Sequence, residues 1–193
     1  MDKKDIILAG VGGQGILSIA TVIGWAALDQ NLHLKQAEVH GMSQRGGDVQ
    51  SNLRLSRERI WSDLIPKGGC DLILSLEPME ALRYLPWLAP DGWIVTNTTP
   101  FVNIPNYPEM DDIHKELASV GRVVSVDCDA IAKDAGSPKS ANMVLLGASA
   151  SVMEIIDPEK LREGIAEAFA RKGEKIVEMN IAAFNAGLEA SKK

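Results

Sequence analysis

Cysteine is scarce in this 193-residue sequence, which contains only Cys70 and Cys128. Neither cysteine stands in a CxxC or CxxH context, so the sequence offers no disulfide framework and no zinc or iron–sulfur ligand set. We therefore expect a protein of a reducing compartment. We also expect that this chain alone holds no metal centre.

An excess of basic residues is missing as well. The sequence has 20 lysines and arginines against 26 acidic residues, a net charge of -6, which argues against nucleic acid as a partner. Hydrophobic residues make up 46% and charged residues 24%, the profile of an ordinary globular protein. With no repeat, low-complexity tract or linker, residues 1–193 are expected to form a single domain.

A long uninterrupted hydrophobic run is also lacking. Residues 6–28 carry no charge, but four glycines divide them into a short strand, a turn and a helix that are each too short to cross a bilayer. We therefore expect no membrane association and a cytoplasmic location.

Short apolar strands alternate with helical segments along much of the chain. This alternation predicts an α/β fold, a three-layer Rossmann-like arrangement with a mostly parallel sheet and a helical C-terminal part. The predicted strands are 6–9, 32–39, 71–76, 93–96 and 122–126. The predicted helices are 14–28, 78–88, 110–119, 141–153, one opened by Asp157-Pro158 and closed by Gly173, and a last one through Val177 and Leu188.

One segment breaks the alternation. Val49, Leu53 and Leu55 alternate with polar residues, and 56–59 then resemble a turn into Ile60-Trp61. The pattern predicts an antiparallel hairpin across 49–61, where a doubly wound fold would place a helix.

A glycine-rich loop follows the first strand and precedes the first helix. Gly10, Gly12, Gly13, Gln14 and Gly15 match G-x-G-x-x-G, a pattern that lets backbone approach a pyrophosphate at a helix N-terminus. Three interpretations stay open: tight packing, contact with a phosphate or a partner, and a full dinucleotide site. The last requires Glu38 as the ribose-binding acid, although Glu38 is not followed by the usual helix.

The segment 40–47 is a second candidate site. Ser43, Gln44 and Arg45 stand between Gly41 and the pair Gly46-Gly47, so a fork-shaped donor and two hydrogen-bonding side chains lie on permissive backbone. Such a loop suits a phosphate, a carboxylate or a partner chain, and the alternative is a plain surface turn.

Other common catalytic motifs are absent from the sequence. There is no P-loop, and 41–46 miss the nucleophile-elbow pattern by one residue. Cys70 is expected to be a buried small hydrophobe rather than a nucleophile, and Asp111-Asp112 to mark a solvated helix start. Of the three histidines, His40 is worth testing because it adjoins the second loop, whereas His33 and His114 are expected to be structural or exposed.

Together these motifs resemble the gamma subunit or domain of 2-oxoacid:ferredoxin oxidoreductases, and among them the beta subunit of the indolepyruvate enzymes. The resemblance rests on Gly10–Gly15, the string 40–47, the segment 142–147 and the closing helix 180–187, and it covers almost the whole chain. It implies a complex that oxidatively decarboxylates 2-oxoacids to acyl-CoA with thiamine diphosphate, iron–sulfur clusters, coenzyme A and ferredoxin.

This chain lacks the cofactor motifs that such chemistry needs. Pro90-Asp91-Gly92 has only half of a thiamine diphosphate motif, and two cysteines cannot hold a four-thiolate cluster. By resemblance, the cofactors belong to a large alpha subunit, and this chain is an accessory subunit that is inactive when isolated. We expect indolepyruvate or another aryl pyruvate as substrate. Candidate cofactor contacts are Gly10, Gly12, Gly13, Gln14, Gly15, Ser43, Gln44, Arg45, Gly46 and Gly47.

Two other hypotheses stay open. The chain could be a free-standing nucleotide-binding oxidoreductase that uses Gly10–Gly15 and Glu38, or a non-catalytic binding module. A neighbouring gene for a thiamine-diphosphate and ferredoxin-domain chain is expected only for the accessory subunit.

Overall fold

The computed structural model describes residues 2–40 and 46–192, which form one mixed β-sheet flanked by helices. The strands are β1 (Lys3–Val11), β2 (His33–His40), β3 (Asp48–Ser56), β4 (Cys70–Ser75), β5 (Leu88–Asn97) and β6 (Val123–Val126). The helices are α1 (Ile16–Asp29), α2 (Pro78–Arg83), α3 (Met110–Val120), α4 (Cys128–Asp134), α5 (Ala141–Met153), α6 (Pro158–Phe169) and α7 (Glu174–Ala190). Short 3-10 turns at Leu85–Trp87 and Ala170–Lys172 follow α2 and α6.

The strand order is β2-β3-β1-β4-β5-β6. Strands β1, β4, β5 and β6 pair in parallel, whereas β3 runs antiparallel to both of its neighbours, β1 and β2. The four parallel strands therefore end at one edge of the sheet, which we call the carboxyl edge.

The prediction of an antiparallel hairpin across 49–61 is wrong about which segment pairs with β3. β3 pairs along its length with β2, from His33 opposite Ser56 to His40 opposite Val49, and residues 57–64 form no strand. Alternating hydrophobicity showed that 49–55 is a strand, but that pattern does not encode which neighbour it pairs with. The hairpin that the structure shows is therefore formed by β2 and β3.

The sheet is covered on both faces, which confirms the three-layer α/β fold. Alternate residues of β1 enter different cores: Ile6 and Leu8 face α1, α4, α5, α6 and α7, and Ile7 and Ala9 face α2 and α3. All four β1 side chains are fully buried, as expected for a parallel strand between two helical layers.

Helices α5 and α7 cross with their backbones in close contact. A Cβ atom added at Gly147 would lie 1.9 Å from the carbonyl oxygen of Phe184, and one added at Gly187 would lie 2.0 Å from that of Val144. These two glycines, both within segments that carry the family resemblance, therefore have a packing role.

Other predicted elements agree in place and differ in length. Helix α5 spans 141–153 as predicted, whereas α2 ends at Arg83 and is followed by a 3-10 turn. Helix α4 is not predicted by the sequence pattern, because it is only seven residues long. Among the residues that the structure describes, no helix is both long enough and apolar enough to span a membrane.

Candidate functional site

The carboxyl edge contains the point where the fold changes direction. After β1 the chain enters α1 on one face of the sheet, and after the adjacent parallel strand β4 it enters α2 on the other face. In open α/β sheets this switch point leaves a crevice in which ligands bind. The glycine loop 10–15 lies at this crevice.

Gln14 bridges the crevice with its side chain. Its Oε1 accepts a hydrogen bond from the backbone N–H of Val11 at 2.7 Å, and its Nε2 donates to the carbonyl oxygen of Leu76 at 3.2 Å. The first contact secures the end of β1 and the second the residue after β4. Gln14 therefore fixes the shape of the glycine loop from within.

The glycines of the loop differ in what surrounds them. Gly15 has a φ of 88°, and a Cβ atom there would lie 2.6 Å from Nδ2 of Asn142, which donates a 3.2 Å hydrogen bond to the Gly15 carbonyl. Gly13 has a φ of 101°, and nothing in the structure described lies within 4 Å of the corresponding position. Packing accounts for Gly15, whereas Gly13 presents accessible backbone.

The two glycine-rich segments of the sequence meet at the carboxyl edge. The backbone N–H of Gly12 donates to the carbonyl oxygen of Gly47 at 2.8 Å, and Nδ2 of Asn103 donates to that of Gly46 at 2.5 Å. Ser43, Gln44 and Arg45 lie outside the described residues. The positions of Gly46 and Gly47 place the end of their segment beside the glycine loop.

A cavity of about 580 Å³ opens beside the glycine loop at the start of α1. Two lysines, Lys139 and Lys172, line it together with the amide side chains of Asn142 and Asn180. The remaining lining comes from the loops and from α1, α6 and α7: Gly13, Gln14, Gly15, Ser18, Ser137, Pro138, Ser140, Phe169, Ile176 and Met179. Ammonium groups near a helix N-terminus favour an anionic group.

A buried carboxylate near this edge was not anticipated from the sequence. Glu77 is fully buried, and its Oε2 accepts from the backbone N–H of Glu80 at 2.8 Å, which caps α2. Its Oε1 accepts from the backbone N–H of Phe101 at 3.3 Å and from the hydroxyl of Tyr107. The Glu-Pro pair that opens α2 indicates the cap, but no local signal indicates the two contacts from residues so distant in sequence.

Both cysteines are buried and two of the histidines are exposed, as the sequence predicts for side chains without a catalytic role. Both thiols are buried, and burial raises the pKa of Cys70 to about 12 and that of Cys128 further. His33 and His114 are exposed, and no group of three metal-ligating side chains occurs in 2–40 or 46–192. Since Cys70 begins β4 and Cys128 follows β6, the thiols lie at opposite edges of the parallel sheet and do not fit one iron–sulfur cluster.

The position of Glu38 weakens the dinucleotide interpretation. Glu38 lies on β2, and β3 separates β2 from β1. Two strand spacings of about 4.8 Å each therefore separate the strand of this acid from the strand that precedes the glycine loop. In the dinucleotide fold these two strands are adjacent.

The sequence matches a known protein family and is similar to a full-length protein of that kind. The family described as "Pyruvate ferredoxin/flavodoxin oxidoreductase" matches residues 5–190. The indolepyruvate oxidoreductase subunit IorB of Thermococcus kodakarensis is 35% identical over 202 aligned positions, covering 100% of this chain and 98% of the relative.

Two solved structures share the fold. One is a keto/oxoacid ferredoxin oxidoreductase gamma subunit from Geobacter sulfurreducens, with a TM-score of 0.71, 23% identity and 98% of each chain covered. The other is a 2-oxoglutarate:ferredoxin oxidoreductase from Magnetococcus marinus, with a TM-score of 0.77, 22% identity, and 100% of this chain but 31% of that chain covered. With a family match over nearly its whole length and a full-length relative at 35% identity, this chain belongs to the pyruvate ferredoxin/flavodoxin oxidoreductase family.

Proposed function

We propose that this chain is the small accessory subunit of a 2-oxoacid:ferredoxin oxidoreductase whose substrate is indolepyruvate or another aryl pyruvate. The observation that carries the proposal is the 35% identity to an indolepyruvate oxidoreductase subunit over the full length of both chains. A subunit name at this identity supports a shared role in a complex. The fold alone would not, since one α/β fold hosts many functions.

The residues of this chain do not fit the redox cofactors of such an enzyme. Four thiolates hold a cubane cluster, whereas here two buried thiols lie at opposite edges of the sheet. Pro90-Asp91-Gly92 lies within β5 instead of in a loop that could cradle a pyrophosphate. We therefore assign thiamine diphosphate and the iron–sulfur clusters to a large alpha subunit, and electron delivery to ferredoxin through that subunit.

The carboxyl edge is the part of this chain that we assign to the active complex. The accessible backbone of Gly13 and the lysine-lined cavity give this edge hydrogen-bond donors and positive charge, and the hydrogen bond between Gly12 and Gly47 holds the two glycine-rich segments together there. We assign Arg45, two residues before Gly47, a charged hydrogen bond to a phosphate of coenzyme A or a carboxylate of the large subunit. A lysine could not reproduce a bidentate guanidinium contact.

Co-purification and a substrate panel test the proposal. Tagged chain is co-expressed with the large thiamine-diphosphate and iron–sulfur subunit of the same organism, and the complex is assayed for coenzyme A-dependent dye reduction. We expect stable co-purification and a higher kcat/KM for indolepyruvate and phenylpyruvate than for pyruvate or 2-oxoglutarate.

Two results would contradict the proposal in different ways. Failure to bind the large subunit would reject the accessory role. A preference for an aliphatic or dicarboxylic 2-oxoacid would leave the accessory role in place and reject the assigned substrate. Micromolar binding of NAD by the isolated chain, abolished by Glu38→Ala, would instead support a free-standing nucleotide-binding enzyme.

A further inference from the structure

An uncharged segment stands out on the surface next to the carboxyl edge. Residues 98–108, between β5 and α3, contain no charged side chain in a protein in which 24% of residues are charged. Within it, Phe101, Val102 and Ile104 are 44%, 67% and 36% exposed. Three apolar side chains exposed within four residues form a cluster of the kind that marks interaction surfaces. We call Phe101, Val102 and Ile104 the apolar loop patch.

Hydrogen bonds at both ends hold this segment in place. On one side of the patch Thr99 and Asn97 are hydrogen-bonded: the Thr99 N–H donates to Asn97 Oδ1 at 3.3 Å. Within the patch the Phe101 N–H donates to Glu77, and beyond it the Tyr107 hydroxyl donates to the same Glu77 oxygen. The segment is therefore fixed at several points although it contains no helix or strand.

Glu77 is an unusual anchor because it is a fully buried carboxylate. No lysine or arginine nitrogen within the described ranges lies within 4.0 Å of it, and backbone N–H groups and one hydroxyl satisfy it instead. Burying a carboxylate is costly unless such donors compensate for lost water. Burial and the hydrogen bond to Glu77 together raise the pKa of Tyr107 above its ordinary value, so this hydroxyl remains a donor in alkaline solution as well as at neutral pH.

The patch is continuous with the candidate site. Asn103, between Val102 and Ile104, donates to the carbonyl oxygen of Gly46 at 2.5 Å, and Gly47 accepts from the glycine loop. A partner seated on the patch would therefore also lie close to Gly46 and Gly47. Because Glu77 holds Phe101 and the nearby Asn103 holds Gly46, the position of Glu77 also affects the position of Gly46.

The properties of the patch favour one class of partner. Permanent interfaces are apolar and depleted of charge at their centre, whereas transient electron-transfer encounters bury little area and use charged groups for steering. In the Magnetococcus marinus protein, the matching fold occupies 31% of a longer chain, so this fold is there continuous with a larger protein. Both observations favour a large, permanently bound neighbour over ferredoxin or a second copy.

We propose that the apolar loop patch docks onto an uncharged apolar surface of the large subunit, and that Glu77 is the positioning residue that sets its conformation. This inference rests on the proposed accessory role. It adds the surface through which the chain binds and the residue that shapes that surface.

The main test replaces the patch. The variant F101S/V102S/I104S is compared with wild type for affinity to the large subunit and for 2-oxoacid-dependent dye reduction by the mixture. Trp61→Ser is the matched control, because Trp61 is 78% exposed and lies near Lys3 at the opposite edge of the sheet. We expect at least about a 30-fold rise in Kd for the patch variant, the size of an interface hot spot, and less than a twofold change for the control.

Two milder variants guard against a folding defect. Val102→Ser alters a side chain that is 67% exposed, so the melting temperature should not change while Kd rises severalfold. Tyr107→Phe keeps the ring and removes one hydrogen bond to Glu77, and we expect about a fivefold rise in Kd with the patch side chains intact. A change in melting temperature without a change in Kd would make Glu77 and Tyr107 purely structural and overturn their positioning role.

The outcomes separate this inference from the proposed function. Wild-type affinity and turnover in both the triple variant and Val102→Ser would overturn the docking surface and leave the accessory role intact. An intact complex with a raised KM for ferredoxin would assign the patch to ferredoxin and overturn the proposal. Loss of self-association with unchanged affinity for the large subunit would do the same in favour of a second copy. Failure of wild type to bind the large subunit would reject the accessory role and the docking surface together.

Discussion

Replacing Gly147 by alanine tests whether the crossing of α5 and α7 depends on the absence of a side chain. The added Cβ would lie 1.9 Å from the carbonyl oxygen of Phe184, so the helices would have to separate by more than about 1 Å to restore ordinary contact. The obstacle is backbone, which cannot rotate away as a side chain can. The strain should therefore fall at the upper end of the usual cost of overpacking, about 3 kcal/mol.

The same substitution has a favourable contribution that must be subtracted. Alanine is more favourable than glycine in a helix interior by about 1 kcal/mol. The expected net loss for Gly147→Ala is therefore about 2 kcal/mol. For a chain of this size such a loss corresponds to a fall in melting temperature of roughly 4–8 °C.

Two other helical glycines provide a graded series. A Cβ at Gly164 would lie 2.7 Å from the carbonyl oxygen of Val22, and one at Gly24 would lie 3.6 Å from a methyl group of Leu34, an ordinary contact. Gly164→Ala should therefore be close to neutral or mildly destabilising, and Gly24→Ala should stabilise by about 0.5–1 kcal/mol. Urea denaturation of the three variants measures the order. Equal stability changes in all three, or a stable Gly147→Ala protein, would refute the reasoning.

Three further predictions concern the buried ion pair of Asp5 and Arg54, the thiols of Cys70 and Cys128, and Arg45. Asp5 is 96% buried at its side chain and binds Arg54 through both oxygens at 2.7 and 3.1 Å, so Asp5→Ala should cost about 3 kcal/mol in urea denaturation; a loss below about 1 kcal/mol would contradict this. The raised pKa values of Cys70 and Cys128 keep both thiols protonated in the folded state, whereas they ionise near pH 9 when unfolded. The free energy of unfolding should therefore fall as pH rises above about 9, by up to about 1.4 kcal/mol per pH unit for each thiol, and native protein should react with a thiol reagent only on unfolding. Arg45→Lys should weaken turnover of the complex with the melting temperature unchanged, and unchanged turnover in both Arg45→Lys and Arg45→Ala would leave this segment a plain surface turn.

The sequence was most informative where a local pattern determines a local structure. The uncharged run 141–153 became a buried helix with those bounds, and the glycine run after the first strand became the turn at the switch point. The order of the strands was harder to predict. Strand β3 lies between β1 and β2, and no hydrophobic periodicity in the sequence encodes that order. The sequence pattern therefore favours the nearest apolar pair, Ile60-Trp61, as its partner, and the strand order shows that this prediction is wrong.

The parts of the site that escaped prediction depend on long-range contacts. Gln14 is a candidate cofactor contact in the sequence, but only the fold shows that its side chain instead bridges the backbone of Val11 and Leu76. Glu77 is not singled out by the sequence, and only the fold shows that the loop containing Phe101 and Tyr107 folds back onto its carboxylate. In both cases the partner group is distant in sequence or lies on the backbone, where residue type carries no signal.

An add-back assay tests the central claim most directly. The large subunit is purified alone with its thiamine diphosphate and iron–sulfur clusters, and increasing amounts of this chain are added while indolepyruvate-dependent ferredoxin reduction is followed. The accessory role predicts little activity from either protein alone and a rate that rises and saturates as the chain is added. Full activity of the large subunit alone, or a rate indifferent to this chain, would contradict it.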